Sequence, residues 1–127
     1  MSEIVLLVED NELNRDMLKR RLSRAGFEVV TAGDGQEALD RLRTITANVV
    51  LLDMNLPIKD GWTTCSEIRQ DPALSETPII ALTAHAMNED REKAMAAGCD
   101  DYATKPIDFP DLLEKIASVC RGRSKPG

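Results

Sequence analysis

The stretch Ile4-Val5-Leu6-Leu7-Val8-Glu9-Asp10 sets five aliphatic side chains directly ahead of two acids. A strand with one wet face alternates apolar and polar residues; this one does not alternate. It reads as a strand covered on both faces, the habit of parallel sheets. A second run, Asn48-Val49-Val50-Leu51-Leu52-Asp53, has the same make-up and also ends in an acid. Residues 27–31, 78–83 and, more weakly, 101–104 complete a set of short apolar runs.

Helical spacing fills the gaps. Leu13, Met17, Leu18 and Leu22 follow steps of four, one and four, assigned here to one helix face. Ala38, Leu39, Leu42 and Ile45 repeat the spacing, and Ile107, Leu112, Leu113, Ile116 and Val119 continue it in a final amphipathic helix. Shorter helices are expected near 62–70 and 88–97. Asp34-Gly35 reads as the turn opening the second helix, and Pro72 and Pro78 bracket a loop. Gly26 and Gly98 each follow an Ala at a helix end, where a left-handed residue relieves the last turn. Five β-α units imply an α/β fold, a doubly wound five-stranded parallel sheet with helices on both faces. Right-handed crossovers favour the order 2-1-3-4-5, with its switch point between strands 1 and 3. One domain is expected over 1–121, followed by a polar, basic tail at 122–127.

Composition narrows the function. The chain has 127 residues, 43% of them hydrophobic, which suits one domain with its own core. Its net charge of −6 opposes general contact with a nucleic-acid backbone, so no direct DNA binding is expected. The longest apolar run is too short to span a bilayer, and Met-Ser-Glu at the start offers no basic segment for a signal peptide. Three cysteines without a CxxC pair, and one histidine, argue against structural zinc and for reduced thiols in a cytoplasmic setting.

Ligands of a doubly wound sheet bind beyond the carboxyl ends of its strands. There the sequence places Glu9, Asp10, Asp53, Thr83 and Lys105. Two unit charges about 5 Å apart repel by roughly 3 kcal/mol at an effective dielectric near 20. Three gathered acids therefore need a cation, or one of them keeps its proton. Oxygen ligands without aligned thiols suit Mg²⁺, which takes one or two carboxylates, waters and a phosphate. Lys105 and Thr83 would add an ammonium and a hydroxyl donor, so the set describes a phosphoryl pocket beside a metal. Asp53, at its centre, is the candidate nucleophile. Singly, each residue has a plainer reading: Asp10 as a helix N-cap, Asp53 as a loop acid, Thr83 as a turn residue, Lys105 as a solvated charge. Their coincidence at neighbouring strand ends favours the site.

From Ile4 to Val119 the chain resembles receiver domains of two-component response regulators. The resemblance rests on the residues 4–11, on Leu51-Leu52-Asp53-Met54-Asn55-Leu56-Pro57 with Asp60-Gly61, on Ile79-Ile80-Ala81-Leu82-Thr83-Ala84, and on Ala97-Gly98-Cys99-Asp100-Asp101-Tyr102 with Lys105-Pro106. It implies a flavodoxin-like three-layer αβα fold. It implies Asp53 as phosphoacceptor from a histidine kinase or phosphotransfer protein, Asp10 as a direct Mg²⁺ ligand, Glu9 as a ligand largely through water, and Asn55 as a ligand through its backbone carbonyl. Thr83 and Lys105 would contact the phosphoryl group, and Pro106 would follow a cis peptide. Tyr102 would be the switching aromatic, with room left by the small Ala84. Asn55 and His85 would tune hydrolysis. A downstream protein would read the face of helix 4, strand 5 and helix 5. The segment 83–87 leans toward stand-alone receivers and those of hybrid kinases. Such a protein is a switch that catalyses only its own phosphorylation and slow dephosphorylation.

Two other classes fit less well. An aspartate-nucleophile phosphohydrolase needs a second acid two residues past the nucleophile, where this chain has Asn55. A flavodoxin-like electron carrier needs a hydroxyl- and glycine-rich loop after strand 1, where this chain has Glu9-Asp10-Asn11-Glu12.

Overall fold

The structure, a computed structural model, describes residues 3–56, 58–84 and 88–124. Five strands alternate with five helices: β1 (Ile4–Val8), α1 (Glu12–Arg24), β2 (Glu28–Ala32), α2 (Gly35–Leu42), β3 (Val49–Asp53), α3 (Gly61–Gln70), β4 (Ile79–Thr83), α4 (Asn88–Ala96), β5 (Asp101–Thr104) and α5 (Phe109–Ser124). All strand pairs are parallel and the order is β2-β1-β3-β4-β5, as the sequence predicts.

Alternation along each strand explains the unbroken aliphatic runs. Val5, Leu7, Val49, Leu51, Ile80 and Leu82 pack with Leu18 and Leu22 of α1 and with Leu112 and Ile116 of α5. Leu6, Val8, Val50, Leu52, Ile79 and Ala81 turn the other way, onto Ala38, Leu39 and Leu42 of α2, Cys65 and Ile68 of α3 and Ala94 of α4. Successive strand side chains point to opposite faces, so burying both faces demands apolar residues at every position. Each fully buried leucine contributes about 1.5–3 kcal/mol through the water it no longer orders.

Several local expectations are corrected. Leu13 and Met17 are 82% and 51% exposed, while Leu18 and Leu22 are buried. At about 100° per residue, the pair 13/17 points about 140° away from the pair 18/22. The four residues therefore form two faces of α1. Helix α2 ends at Leu42, leaving Ile45 in the connection. Ile107 precedes α5, packing on the α1–α5 side of the sheet. Helix α5 runs to Ser124, three residues past the expected domain end. Trp62 is half-buried against the α2–α4 side of the core, with the Lys93 ammonium 4.8 Å from its ring centre.

Two glycine features shape the joints. Gly26 and Gly98 adopt φ of 100° and 107°, the left-handed form expected after α1 and α4. Gly61, the first residue of α3, lies so close to β3 that a Cβ would stand 2.6 Å from the Asp53 carbonyl oxygen and 2.6 Å from Met54 Cα. Both obstacles are backbone, so a side chain there must displace the strand end. Gly61→Ala is expected to cost about 1–3 kcal/mol, as overpacking does, and to disturb Asp53. Urea unfolding checks this; an unchanged midpoint would show that α3 shifts freely.

Candidate functional site

The register of β1 and β3 ends at the pair Val8 and Leu52. One step further stand Glu9 and Asp53, at the switch point of the sheet. Both are buried, at 1% and 3% exposure. Asp10 follows Glu9 and is exposed. One carboxylate oxygen from each of Glu9, Asp10 and Asp53 lies within 4.8 Å of the others.

Asp10 is not the helix cap. Asn11 takes that role, its side chain accepting from the Asn14 amide at 2.9 Å. Asp10 is thereby left facing the other acids. Arg15, one turn into α1, donates to the Glu9 carbonyl oxygen at 3.0 Å and ties the helix to the end of β1. No sequence signal marks Arg15, because its partner is a backbone atom.

Lys105 reaches in from the turn after β5. Its Nζ lies 3.1 Å from Glu9 Oε1 and 3.0 Å from Asp53 Oδ2, bridging the two buried acids. The Lys105–Pro106 peptide is cis. Asp53 Oδ1 accepts from the Asn55 amide at 3.0 Å. Thr83 ends β4, buried; its carbonyl accepts from the Lys105 amide at 2.7 Å, and the Met54 amide bonds to the neighbouring Leu82 carbonyl. Beside the crevice, a groove of about 440 Å³ opens between α1 and the 105–107 turn, lined in part by Glu9, Met17, Lys105 and Pro106.

The electrostatics follow from burial. Glu9 is pushed up to about 7 by burial and by the hydrogen bond and charge of Asp53, with Lys105 pulling back in part. Burial also works to raise Asp53, but hydrogen bonds from Glu9, the Asn55 amide and Lys105 overcome it and hold Asp53 below its ordinary value. Burial would lower Lys105, yet the two acids hold it above its usual range. Glu9 is thus biased toward its neutral form and Asp53 toward its ionised form. Glu9 Oε2 is buried with no hydrogen-bond partner. An unsatisfied buried carboxyl oxygen beside two other acid oxygens fits a hard divalent cation, which prefers oxygen donors.

Tyr102, in β5, is half-buried against the α2–α4 side of the core. Lys115 Nζ lies 4.9 Å from its ring centre and donates to its carbonyl at 2.7 Å. Asn55 and Ala84 are exposed. His85 and Pro57 lie outside the described residues.

A doubly wound α/β domain with an acid pocket for a hard cation at its switch point is a recognisable class of protein. A family model for the response regulator receiver domain matches residues 5–117. The DivK polar-differentiation response regulator of Brucella ovis is 36% identical over 118 residues, covering 93% of this chain and 96% of that protein. The probable transcriptional regulator ycf27 of Guillardia theta is 42% identical over 123 residues, 97% of this chain, which spans only 47% of that relative. Among solved structures, the receiver domain of sensor histidine kinase PA1611 from Pseudomonas aeruginosa, with a magnesium ion coordinated in its active-site cleft, superposes with a TM-score of 0.88 at 33% identity, covering 95% of this chain and 99% of that one. The receiver domain of Saccharomyces cerevisiae Ssk1, solved with the phosphotransfer protein Ypd1, gives 0.87 at 28% identity, covering 98% and 92%.

The chain belongs to the response regulator receiver domain family. Its members are signalling switches of two-component systems, which meet histidine kinases or phosphotransfer proteins and bind Mg²⁺ at an acidic pocket. Among the described residues no helix is long and apolar enough to cross a membrane.

Proposed function

We propose that this chain is a phosphorylation-activated switch that accepts a phosphoryl group on Asp53. The observation that carries the reading is the single crevice in which Lys105 bridges Glu9 and Asp53 beside Asp10. A carboxylate oxygen of Asp53 bonds to the phosphorus of a phosphohistidine on a histidine kinase or phosphotransfer protein. The phosphorus–nitrogen bond breaks, and the imidazole leaves with a proton from solvent. Glu9, Asp10, Asp53 and the Asn55 carbonyl would hold Mg²⁺, which supplies positive charge to the phosphoryl oxygens when bound. Lys105 then turns from Glu9 to the phosphoryl group, and the Thr83 hydroxyl donates to it. Asn55 and His85 set the rate at which water removes the group.

The new charge is read at a distance. Thr83, drawn to the phosphoryl group, makes room for Tyr102, and the α4–β5–α5 face changes the partner protein it favours. The likeness to the Ssk1 receiver supports a phosphotransfer partner, and the likeness to the PA1611 receiver supports Mg²⁺. The likeness to DivK supports a response regulator acting as a receiver, and the likeness to the PA1611 receiver supports a receiver of the kind found in sensor kinases. We place the protein in the cytoplasm, acting through protein contacts, without DNA.

Incubation with acetyl phosphate and Mg²⁺, followed by mass spectrometry of peptides, tests the acceptor. One phosphoryl addition on Asp53 is expected; its absence, or addition elsewhere, overturns the reading. Lys105→Ala separates uptake from response. Trp62, the chain's only tryptophan, touches Lys93 of α4 and so reports on that helix. The parent should change Trp62 emission on phosphorylation, and Lys105→Ala should not. A full emission change in the variant would remove Lys105 from the switch.

A further inference from the structure

Cys65 and Cys99 are 34 positions apart in the chain, yet their sulfurs stand 3.5 Å apart. Cys65 lies on the sheet-facing side of α3, and Cys99 in the turn between α4 and β5. Both are thiols, at 0% and 4% exposure. The sulfurs need to approach by only about 1.5 Å to reach the disulfide bond length of about 2.05 Å.

The two backbones are held to each other independently of the sulfurs. Arg69, one turn after Cys65, donates from Nε to the Gly98 carbonyl at 2.8 Å and from Nη2 to Asp100 Oδ2 at 2.9 Å. One guanidinium therefore grips the residues on either side of Cys99. The same group favours a thiolate at Cys65: a hydrogen bond from Cys99 lowers that thiol, burial opposes, and the Arg69 charge adds to the lowering. The Cys99 thiol is pushed up by that hydrogen bond and by burial. Arg69 thus sets a positive charge beside the pair, which favours a thiolate within it. Cys120 packs on the opposite face of the sheet, its thiol pushed up to about 11 by burial and by Glu3.

We propose that Cys65 and Cys99 are an oxidation site, a dithiol that a hydroperoxide closes to a disulfide stapling α3 to the α4–β5 turn. The Cys65 thiolate attacks one oxygen of hydrogen peroxide. The O–O bond breaks, giving the sulfenic acid of Cys65 and hydroxide, which takes up the proton that Cys65 released. The Cys99 sulfur then attacks the Cys65 sulfur; the S–O bond breaks, and the hydroxyl leaves as water with the Cys99 proton. Two thiols and one peroxide become one disulfide and two waters, so sulfur loses the two electrons that the peroxide gains. Hydrogen peroxide is close to water in size, which suits a buried pair. The staple would join the two ends of the segment that carries β4 and α4. None of this depends on phosphorylation of Asp53.

The test uses the full chain with Cys120→Ser, so that only the pair can respond, and the unaltered chain beside it. After hydrogen peroxide and alkylation of remaining thiols, we expect the Cys120→Ser chain to be lighter by two hydrogens and to carry no alkyl group. Peptides containing Cys65 and Cys99 should be joined by a bond that dithiothreitol cleaves, in both chains. With Cys99→Ala added to Cys120→Ser, neither the loss of two hydrogens nor the cross-link should occur. Survival of both thiols in the folded chain, oxidation to sulfinic acid without a cross-link, or cross-links only between chains would overturn the proposal.

Discussion

Asp53→Asn is expected to leave the chain folded while abolishing uptake of a phosphoryl group from acetyl phosphate. Asparagine keeps the shape and can still accept from the Asn55 amide, which bonds Asp53 Oδ1 at 3.0 Å. Its neutral amide, however, lacks the charged oxygen that attacks phosphorus. The effect on uptake is complete rather than partial, because Glu9 and Asp10 follow β1 and neither takes the place of Asp53 between Lys105 and the Asn55 amide. The same substitution removes two of the causes that raise Glu9, its hydrogen bond with Asp53 and the Asp53 charge. Glu9 should then titrate lower, though burial, the largest cause, keeps it above its ordinary value. Intact mass reads the first effect and the pH dependence of urea unfolding the second. A phosphoryl group retained by Asp53→Asn would place the acceptor elsewhere.

Magnesium affinity should rise about tenfold for each pH unit up to about 7, then level off. The cation needs Glu9 ionised, and Glu9 titrates near 7 against an ordinary value of 4.5. In the metal-free chain, the folded form therefore holds a proton that the unfolded form has released between those values. The stabilisation is fully present below about pH 4.5 and is lost as pH rises through about 7. The shift corresponds to about 3 kcal/mol in all. Asp53 acts in the opposite sense: its lowered value stabilises the fold above the ordinary carboxylate range and is lost as pH falls through the folded value. Metal-free stability should therefore peak in the weakly acid range. Mg²⁺ at about 100 times its dissociation constant should add roughly 2.7 kcal/mol. Glu9→Gln should flatten the decline toward pH 8 and bind Mg²⁺ poorly. Thermal unfolding across pH, with and without Mg²⁺, measures all three. A melting temperature indifferent to millimolar Mg²⁺ would undo the cation site.

Much of this was legible in residue order. Strand ends could be matched because parallel topology with right-handed crossovers admits few arrangements, and aliphatic runs such as Val5 to Val8 mark strands buried on both faces. The split of α1 into two faces was missed because steps of four, one and four look continuous in sequence. Only the angle between the 13/17 and 18/22 pairs shows which pair meets the sheet. Asp10 and Asn11 are both good caps by type; the backbone direction after Glu9 decided for Asn11. Arg69 and the Cys65–Cys99 contact carried no motif at all, since their partners are backbone atoms or residues about thirty positions away.

Sequence by itself determined the doubly wound sheet, the gathering of Glu9, Asp10 and Asp53 at its switch point, and the family. These rest on periodicity and on chain order, which are local or topological properties. Tertiary structure alone decided that Lys105 bridges two buried acids, that burial and Asp53 raise Glu9, and that two distant thiols touch. Those features depend on distances of a few ångströms between side chains from separate elements, and on how far each is shielded from water. Neither quantity is written in the order of residues.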